Sequence, residues 1–308
     1  MVDDSPKLII ISGPTCSGKS ALAVELASIV GGEIINADSM QVYRGMDIGT
    51  AKLPMLERKG IPHHLIDIIN PDQEFNAALF LVHTLPIIKD LHSKEIHIIV
   101  VGGTGLYVRA LLGGLFDCPP TDLDLRKNLW TECEKKGLSF LHEKLSRLDR
   151  QAAERIHQMD KVRIIRALEV IYLTGYKFSE LTKKHDFSNK RFSSLNLCLH
   201  VDRHILYNRI NKRTIFMIDS GIINEVEVLL KMGYDSGLKS MQAIGYRHIV
   251  RFLEDKWNLD ETIRLIQRDT RRYAKRQLTW LRAEPDITWV NPDNATEIVN
   301  RAMKFIAS

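Results

Sequence analysis

The stretch LIIISGPTCSGKS, Leu8–Ser20, decides how the chain that carries it folds. A short, largely β-branched run ends at a glycine, the pattern of a strand buried on both faces of a parallel sheet. Gly13, Gly18, Lys19 and Ser20 then fit the spacing G-x-x-x-x-G-K-[ST]. Gly13, Pro14, Thr15, Cys16, Ser17, Gly18, Lys19 and Ser20 therefore read as a phosphate-binding loop. Its glycines let backbone N–H groups turn toward an anion, Lys19 adds a point charge, and the Ser20 hydroxyl suits Mg²⁺. KSALAVELASIV, which follows, predicts a helix closed by Gly31 and Gly32.

The alternation continues downstream. GEIINADSM predicts a second strand ending in polar residues, ALFLVHTLPIIKDLHSK a helix, and EIHIIVVGGTG a third buried strand ending in glycines. This order predicts an α/β fold, a doubly wound parallel sheet of the P-loop type. The composition shifts after CPPTD, Cys118 to Asp122. From Leu123 to Lys184 the pattern is amphipathic and helical, and SLNLCLHVD then returns as a strand. Residues 122–193 are read as an all-helical insertion, with DFSNKRFSS as the polar linker out of it. Residues 1–121 and 194–308 are read as the α/β core with a helical C-terminal part. That part places helices in HILYNRINKRTIFMIDSG, NEVEVLLKMG, RHIVRFLEDK and DETIRLIQRDTRRYAKRQLTWLRAE.

Bulk composition narrows the class. The 308 residues, 44% hydrophobic and 26% charged, are ordinary for a globular protein with a core that needs no staples. No apolar run approaches the ~20 residues of a membrane span. The start, MVDDSPKLIII, carries two acids and no basic leader, so neither a membrane partner nor a secretory signal is expected. Cys16, Cys118, Cys133 and Cys198 lie far apart and form no C-x-x-C pair. That points to a reducing, cytoplasmic setting and away from a zinc or disulfide framework. The histidine pairs His63-His64 and His200/His204 have no ligand-spaced partners and read as structural.

The strand ends carry the chemistry, because ligands of open α/β sheets bind outside the carboxyl ends of the strands. A typical NTPase places a metal-binding aspartate after a hydrophobic strand. Here IHIIVV ends in Gly102, Gly103, Thr104 and Gly105, where a threonine hydroxyl can donate to an anion or a leaving oxygen. The second strand runs into Asp38, Ser39, Met40 and Gln41. Asp38 there can hold a metal, act as a general base, or cap a helix. The loop alone does not separate ATPases, kinases and other users of phosphate.

Charge is concentrated near the C-terminus. Between Glu261 and Arg282 seven cations face two acids, a net +5 that equals the excess of the whole chain. At ~100° per residue, Arg264, Arg268, Arg271, Lys275 and Arg282 share a stripe about 60° wide. Ile266, Tyr273 and Trp280 fall opposite, so the helix is expected to pack an aromatic face and show a basic ridge to a phosphate backbone, with only Asp269 near enough to offset it. Arg163 and Arg166 share a helical face, and Lys212 and Arg213 form a further basic spot.

GPTCSGKS, INADSMQVYRGMDIGTAK, PHHLID, VGGTGLYVRALL, RIIRALEV, CLHVDRHILYNRI, AIGYR and AKRQLTWLR occur in that order from about Lys7 to Arg282. In these segments the chain resembles the bacterial tRNA dimethylallyltransferases, also called tRNA isopentenyltransferases. The resemblance implies that the cradle holds the diphosphate of dimethylallyl diphosphate with Mg²⁺, although such loops are commonly labelled ATP-binding. It implies transfer of the prenyl group to the N6 amine of the adenosine 3′ of the anticodon, flipped out of its stack. By position, Asp38 would be the general base and Ser39, Met40 and Gln41 would border the flipped base. Thr104 would hydrogen-bond the bridging oxygen, and Arg213 would join Lys19 on the diphosphate. The tRNA anticodon stem-loop would touch Val162, Arg163, Ile164, Ile165 and Arg166. It would also touch Gln242, Ala243, Ile244, Gly245, Tyr246 and Arg247, then Lys275, Arg276, Gln277, Leu278, Thr279, Trp280, Leu281 and Arg282, with Arg126 as a further candidate. A monomer is implied. Cys16 stands where the family usually has alanine, Ser20 where it has threonine, and Thr214 follows Arg213 where an aromatic is usual. The competing readings are a P-loop kinase of a small molecule, which leaves the basic ridge without a purpose, and a non-enzymatic RNA-binding module that uses the cradle structurally.

Overall fold

The computed structural model describes residues 5–115, 119–185 and 191–308. Cys118 and most of the expected linker DFSNKRFSS lie outside them. Elements follow in the order β1 (Lys7–Ser12), α1 (Lys19–Val30), β2 (Gly32–Asn36), a 3₁₀ turn (Met55–Arg58), β3 (His63–His64), α2 (Ala77–Ser93), β4 (His97–Val101) and α3 (Gly105–Gly113). Next come α4 (Leu123–Lys136), α5 (Leu138–Leu148), α6 (Arg150–Arg155), α7 (Lys161–Thr174) and α8 (Phe178–His185). The chain ends with β5 (Ser193–Leu199), α9 (Arg203–Asp219), α10 (Ile222–Lys231), α11 (Tyr246–Leu253), α12 (Leu259–Leu281), β6 (Thr288–Val290) and α13 (Ala295–Ala307).

The six strands form one parallel sheet in the order β3-β2-β4-β1-β5-β6. β1 lies between β4 and β5, with Ile9 opposite Ile99 on one side and Leu195 on the other. Strands covered on both faces must be apolar throughout, which is why Leu8, Ile9, Ile10 and Ile11 are all at most 2% exposed. Ile9, Ile11, Ile34, Ile99, Val101, Leu197 and Leu199 face α1 and α13, packing on Leu22, Leu26, Ile298 and Ala302. On the other face Phe80 of α2 stacks on Tyr107 of α3 at 4.7 Å. The connections leaving β1 and β4 run to opposite sides, so the crevice at their carboxyl ends is a topological switch point.

The expected doubly wound sheet is present. Two short strands were not expected. β3 adds an edge beside β2, and β6 interrupts the C-terminal segment that was read as wholly helical. Contacts divide the chain into one unit of Met1–Leu111 with Phe192–Ser308 and a second of Leu112–Arg191. The second is all-helical among the described residues, around Leu129, Leu141, Leu145, Ile164, Leu168 and Ile171. Asp149 is buried within it. Burial opposes its ionised form, yet hydrogen bonds from Ser179 N, Ser179 Oγ and Ala152 N hold its carboxyl below the usual range. Among the described residues no helix is long and apolar enough to cross a membrane.

Candidate active site

The phosphate loop joins β1 to α1. Gly18 adopts φ 95°, a left-handed conformation that side chains resist, and this turns the first N–H groups of α1 outward. Those groups have no acceptor within the helix and face a cavity of about 170 Å³. The cavity is lined by Thr15 to Ala21 of the loop and the first turn of α1, Asn36 at the end of β2, Asp38 and Gln41 after it, Thr50, Ala51, Val101, Gly102 and Arg213. Lys19 donates from Nζ to Pro14 O at 2.8 Å. Burial lowers its ammonium pKa to about 8, with nearby Asp38 opposing that shift. Ser17 is 0% exposed and its Oγ has no hydrogen-bond partner among the described residues. An unpartnered hydroxyl, a desolvated ammonium and open amides form a donor set that suits a polyanion.

Arg213, far away in sequence on α9, donates from Nη2 to Thr15 Oγ1 at 2.7 Å. The helix thus brings a guanidinium to the cradle. Thr214, the departure beside it, is buried and bonds back to Ile210 O. Burial pushes the Cys16 thiol above its ordinary pKa, against the pull of Arg213 and Lys19, so at neutral pH it is a thiol rather than a reactive thiolate.

Of the roles left open for Asp38, the turn cap is occupied by one oxygen only. Oδ1 accepts from Met40 N at 2.8 Å and Gln41 N at 3.4 Å. Oδ2 has no protein partner among the described residues and stays available to a ligand. Thr104 accepts from Ser39 N at 3.2 Å through Oγ1, which leaves its hydroxyl proton free to donate. Gln41 donates to Thr50 O and Ala51 O, fixing the loop that closes the far wall. Glu225 of α10 grips the same loop by accepting from Asp47 N, Ile48 N and Gly49 N at 2.7–3.1 Å and from Tyr246 Oη at 2.6 Å. Glu225 was missed in the sequence because three of its four partners are backbone amides.

The other candidates divide by exposure. Val162 and Arg163 are exposed, whereas Ile164 and Ile165 are core residues of the helical unit. Arg126 and Arg166 converge on Glu169, a fully buried carboxylate, at 2.8 and 2.6 Å. The face shared by Arg163 and Arg166 is therefore not one basic patch. Gln242 is exposed and Ala243 and Ile244 partly so, but Gly245 and Tyr246 are buried and Arg247 pairs with Asp269 at 2.7 Å. On α12 the buried line is Thr262, Leu265, Ile266, Thr270, Ala274, Gln277 and Leu281, with Tyr273 and Trp280 only half-buried at its flanks. Nor is the ridge offset by Asp269 alone. Arg264 holds Glu261, Arg268 holds Asp269, and Arg271 donates to Asn211. The Arg264–Glu261 pair is exposed, and such a pair is weak and yields to a phosphate, whereas Asp269 is largely buried and also takes Arg247 and His248. Lys275, Arg276, Thr279 and Arg282 are exposed and Leu278 partly so. Arg109 lies 4.7 Å over the Trp280 ring, which packs on the start of α3.

The family model described as IPP transferase matches residues 41–284, and one described as isopentenyl transferase matches residues 6–61. "tRNA dimethylallyltransferase 2" of Syntrophus aciditrophicus is 50% identical, covering 98% of this chain and 97% of its own. "tRNA dimethylallyltransferase" of Geobacter metallireducens is 47% identical, covering 98% of each. The solved full-length tRNA isopentenylpyrophosphate transferase of Bacillus halodurans superposes with a TM-score of 0.73 at 39% identity, covering 98% of this chain and 97% of its own. A eukaryotic dimethylallyltransferase acting on tRNA superposes with a TM-score of 0.86 at 29% identity, covering 98% and 80%.

Proposed function

The chain belongs to the tRNA dimethylallyltransferase family, and on that premise we propose that it moves the dimethylallyl group of dimethylallyl diphosphate to the N6 amine of the adenosine 3′ of the anticodon in tRNA. The observation that carries this reading is that the phosphate loop and Asp38 line one cavity. A leaving diphosphate and a carboxylate facing the incoming amine can then share it. Lys19, the loop amides and Arg213 hold the diphosphate. An exocyclic adenine amine is a weak nucleophile, so Asp38 accepts its proton as nitrogen bonds to the allylic carbon. The carbon–oxygen bond breaks and its electron pair departs on diphosphate. Thr104 donates to the bridging oxygen, where charge grows in the transition state.

Among the described residues no cluster of three or more His, Cys, Asp or Glu can hold a metal. Ser20, whose hydroxyl oxygen suits a hard cation, lines the cavity and would hold Mg²⁺ beside the diphosphate, where the ion would neutralise the leaving group. The adenosine must leave its stack to reach the cavity. Ser39, Met40 and Gln41 border it there, and the exposed Val162, Arg163, Gln242, Lys275, Arg276 and Arg282 contact the anticodon stem-loop. The enzyme acts as a cytoplasmic monomer in this reading.

The test is a transfer assay with purified protein, unmodified tRNA, Mg²⁺ and radiolabelled dimethylallyl diphosphate, run with and without ATP. Label in tRNA regardless of ATP supports the reading. Turnover of ATP with no label would give the loop back to a kinase. For the interface, Lys275→Ala is expected to weaken tRNA binding and to flatten the slope of log Kobs against log salt by about 1. Titrations over a range of salt concentrations check this, and an unchanged slope would turn the α12 ridge away from RNA.

A further inference from the structure

Gln277 sits in the buried line of α12, between cations that face solvent, and its side chain is 8% exposed. Its Oε1 accepts from Thr15 N at 2.8 Å, and its Nε2 donates to Gly103 O at 2.9 Å. The orientation of the amide is dictated by its partners, since a backbone N–H only donates and a carbonyl only accepts. One side chain therefore ties the loop after β1 to the loop after β4. Gly103 has no room for a Cβ, which would collide with the Gln277 amide, so the tie is short and close.

Both ends of the tie lead directly to groups proposed to act on the diphosphate. Thr15 accepts the Arg213 guanidinium, and the residue after Gly103 is Thr104, whose hydroxyl accepts from Ser39 N. These donors come from three separate elements, so their spacing is not set by any one of them.

We infer that Gln277 is a positioning residue, which sets the distance between the phosphate loop with Arg213 and the Thr104 hydroxyl, so that the leaving diphosphate meets both at once. This rests on the prenyl transfer proposed above. Donors aimed where charge develops lose their effect with small displacements, and the glutamine amide both accepts and donates at every working pH, which a carboxyl of the same length does only when protonated.

Two variants test it. Gln277→Leu keeps the volume and removes both bonds. It is expected to lower kcat by roughly 30-fold, less than the ~10²–10³ of deleting a donor that itself meets the developing charge, with the Kd for tRNA changed less than about threefold. Gln277→Glu retains the acceptor, but as a carboxylate it faces the Gly103 carbonyl without a proton to give. When protonated it donates to Gly103 O and accepts from Thr15 N, which restores the bridge. On its own helix Tyr273 and Arg276 lie within about a turn, and at the loop it ties Lys19 meets Asp38, Arg213, Cys16 and Cys198. They and burial shift where that carboxyl titrates, but not the sign. The ratio of kcat for Gln277→Glu to that of the wild type is expected to start near the leucine level at high pH and to rise as pH falls toward that pKa, by at most the roughly 30-fold that leucine costs, then level off. A ratio flat between pH 5 and 9 overturns the inference, because a folding defect or a lost RNA contact scales every pH alike. Absence of transfer by the wild type would instead overturn the prenyltransferase reading.

Discussion

Asp38→Ala is expected to lower kcat by about two to four orders of magnitude, the range of a lost general base, while tRNA affinity stays within a few-fold of wild type. The expectation comes from the division of labour between the two carboxylate oxygens. Oδ1 is committed to the turn through Met40 N and Gln41 N, so the side chain is aimed before any ligand arrives. Oδ2 is left to take a proton. Asp38→Asn separates the two jobs, because its amide oxygen still caps the turn while its nitrogen cannot act as a base. It should therefore lose turnover as severely as alanine while preserving donor binding better. Single-turnover rates and donor titrations distinguish the two. A fall in tRNA affinity matching the fall in rate would remove Asp38 from the chemistry.

Lys19→Met is expected to cost about 10²–10³ in kcat, the usual effect of deleting one donor aimed at developing negative charge. The ammonium lies in the cavity, held by Pro14 O, where removal from bulk water has already brought its pKa to about 8. On the proposed reading, the leaving diphosphate would supply the negative charge that makes up for the hydration burial removes. Methionine fills the same space without charge, so folding and the Kd for tRNA should be unchanged. Lys19→Arg should not restore the rate, because a planar guanidinium cannot replace a compact point charge seated under a carbonyl. Rates at saturating donor decide the matter. A loss below about threefold would mean that the loop amides and Arg213 carry the leaving group without it.

What was legible in the sequence depended on whether the signal was local. The run ending at Gly13 and the helix closed by Gly31 were readable because β1 and α1 each announce themselves within a dozen residues. β3 and β6, of two and three residues, are too short to show a period, and they are strands only because β2 and β5 offer them an edge. The helical period of α12 located its cations but not their partners. Glu261 is three residues from Arg264 and could have been paired with it, whereas Asn211 reaches Arg271 from another helix. Gln277 was grouped with its solvent-facing neighbours as an RNA contact. Its buried bonds go to backbone atoms, which leave no mark in a sequence. Tyr246 was likewise assigned to RNA, but its hydroxyl completes the Glu225 grip on Asp47 to Gly49.

The placement of β1 bears on synthesis as well as on catalysis. Its two neighbours are β4, where Leu8 meets Ile98, and β5, where Lys7 meets Ser193. While the ribosome is still making the helical insertion, β1 can have gained only the first of these. Its other side is then a row of unpaired amides and carbonyls on a stretch of leucine and isoleucine, the kind of surface that nucleates aggregation. Pairings so distant along the chain also form slowly. The strand that supports the phosphate loop is thus the first to be synthesised and among the last to be enclosed, and a chain interrupted within the insertion is the species most in need of a chaperone.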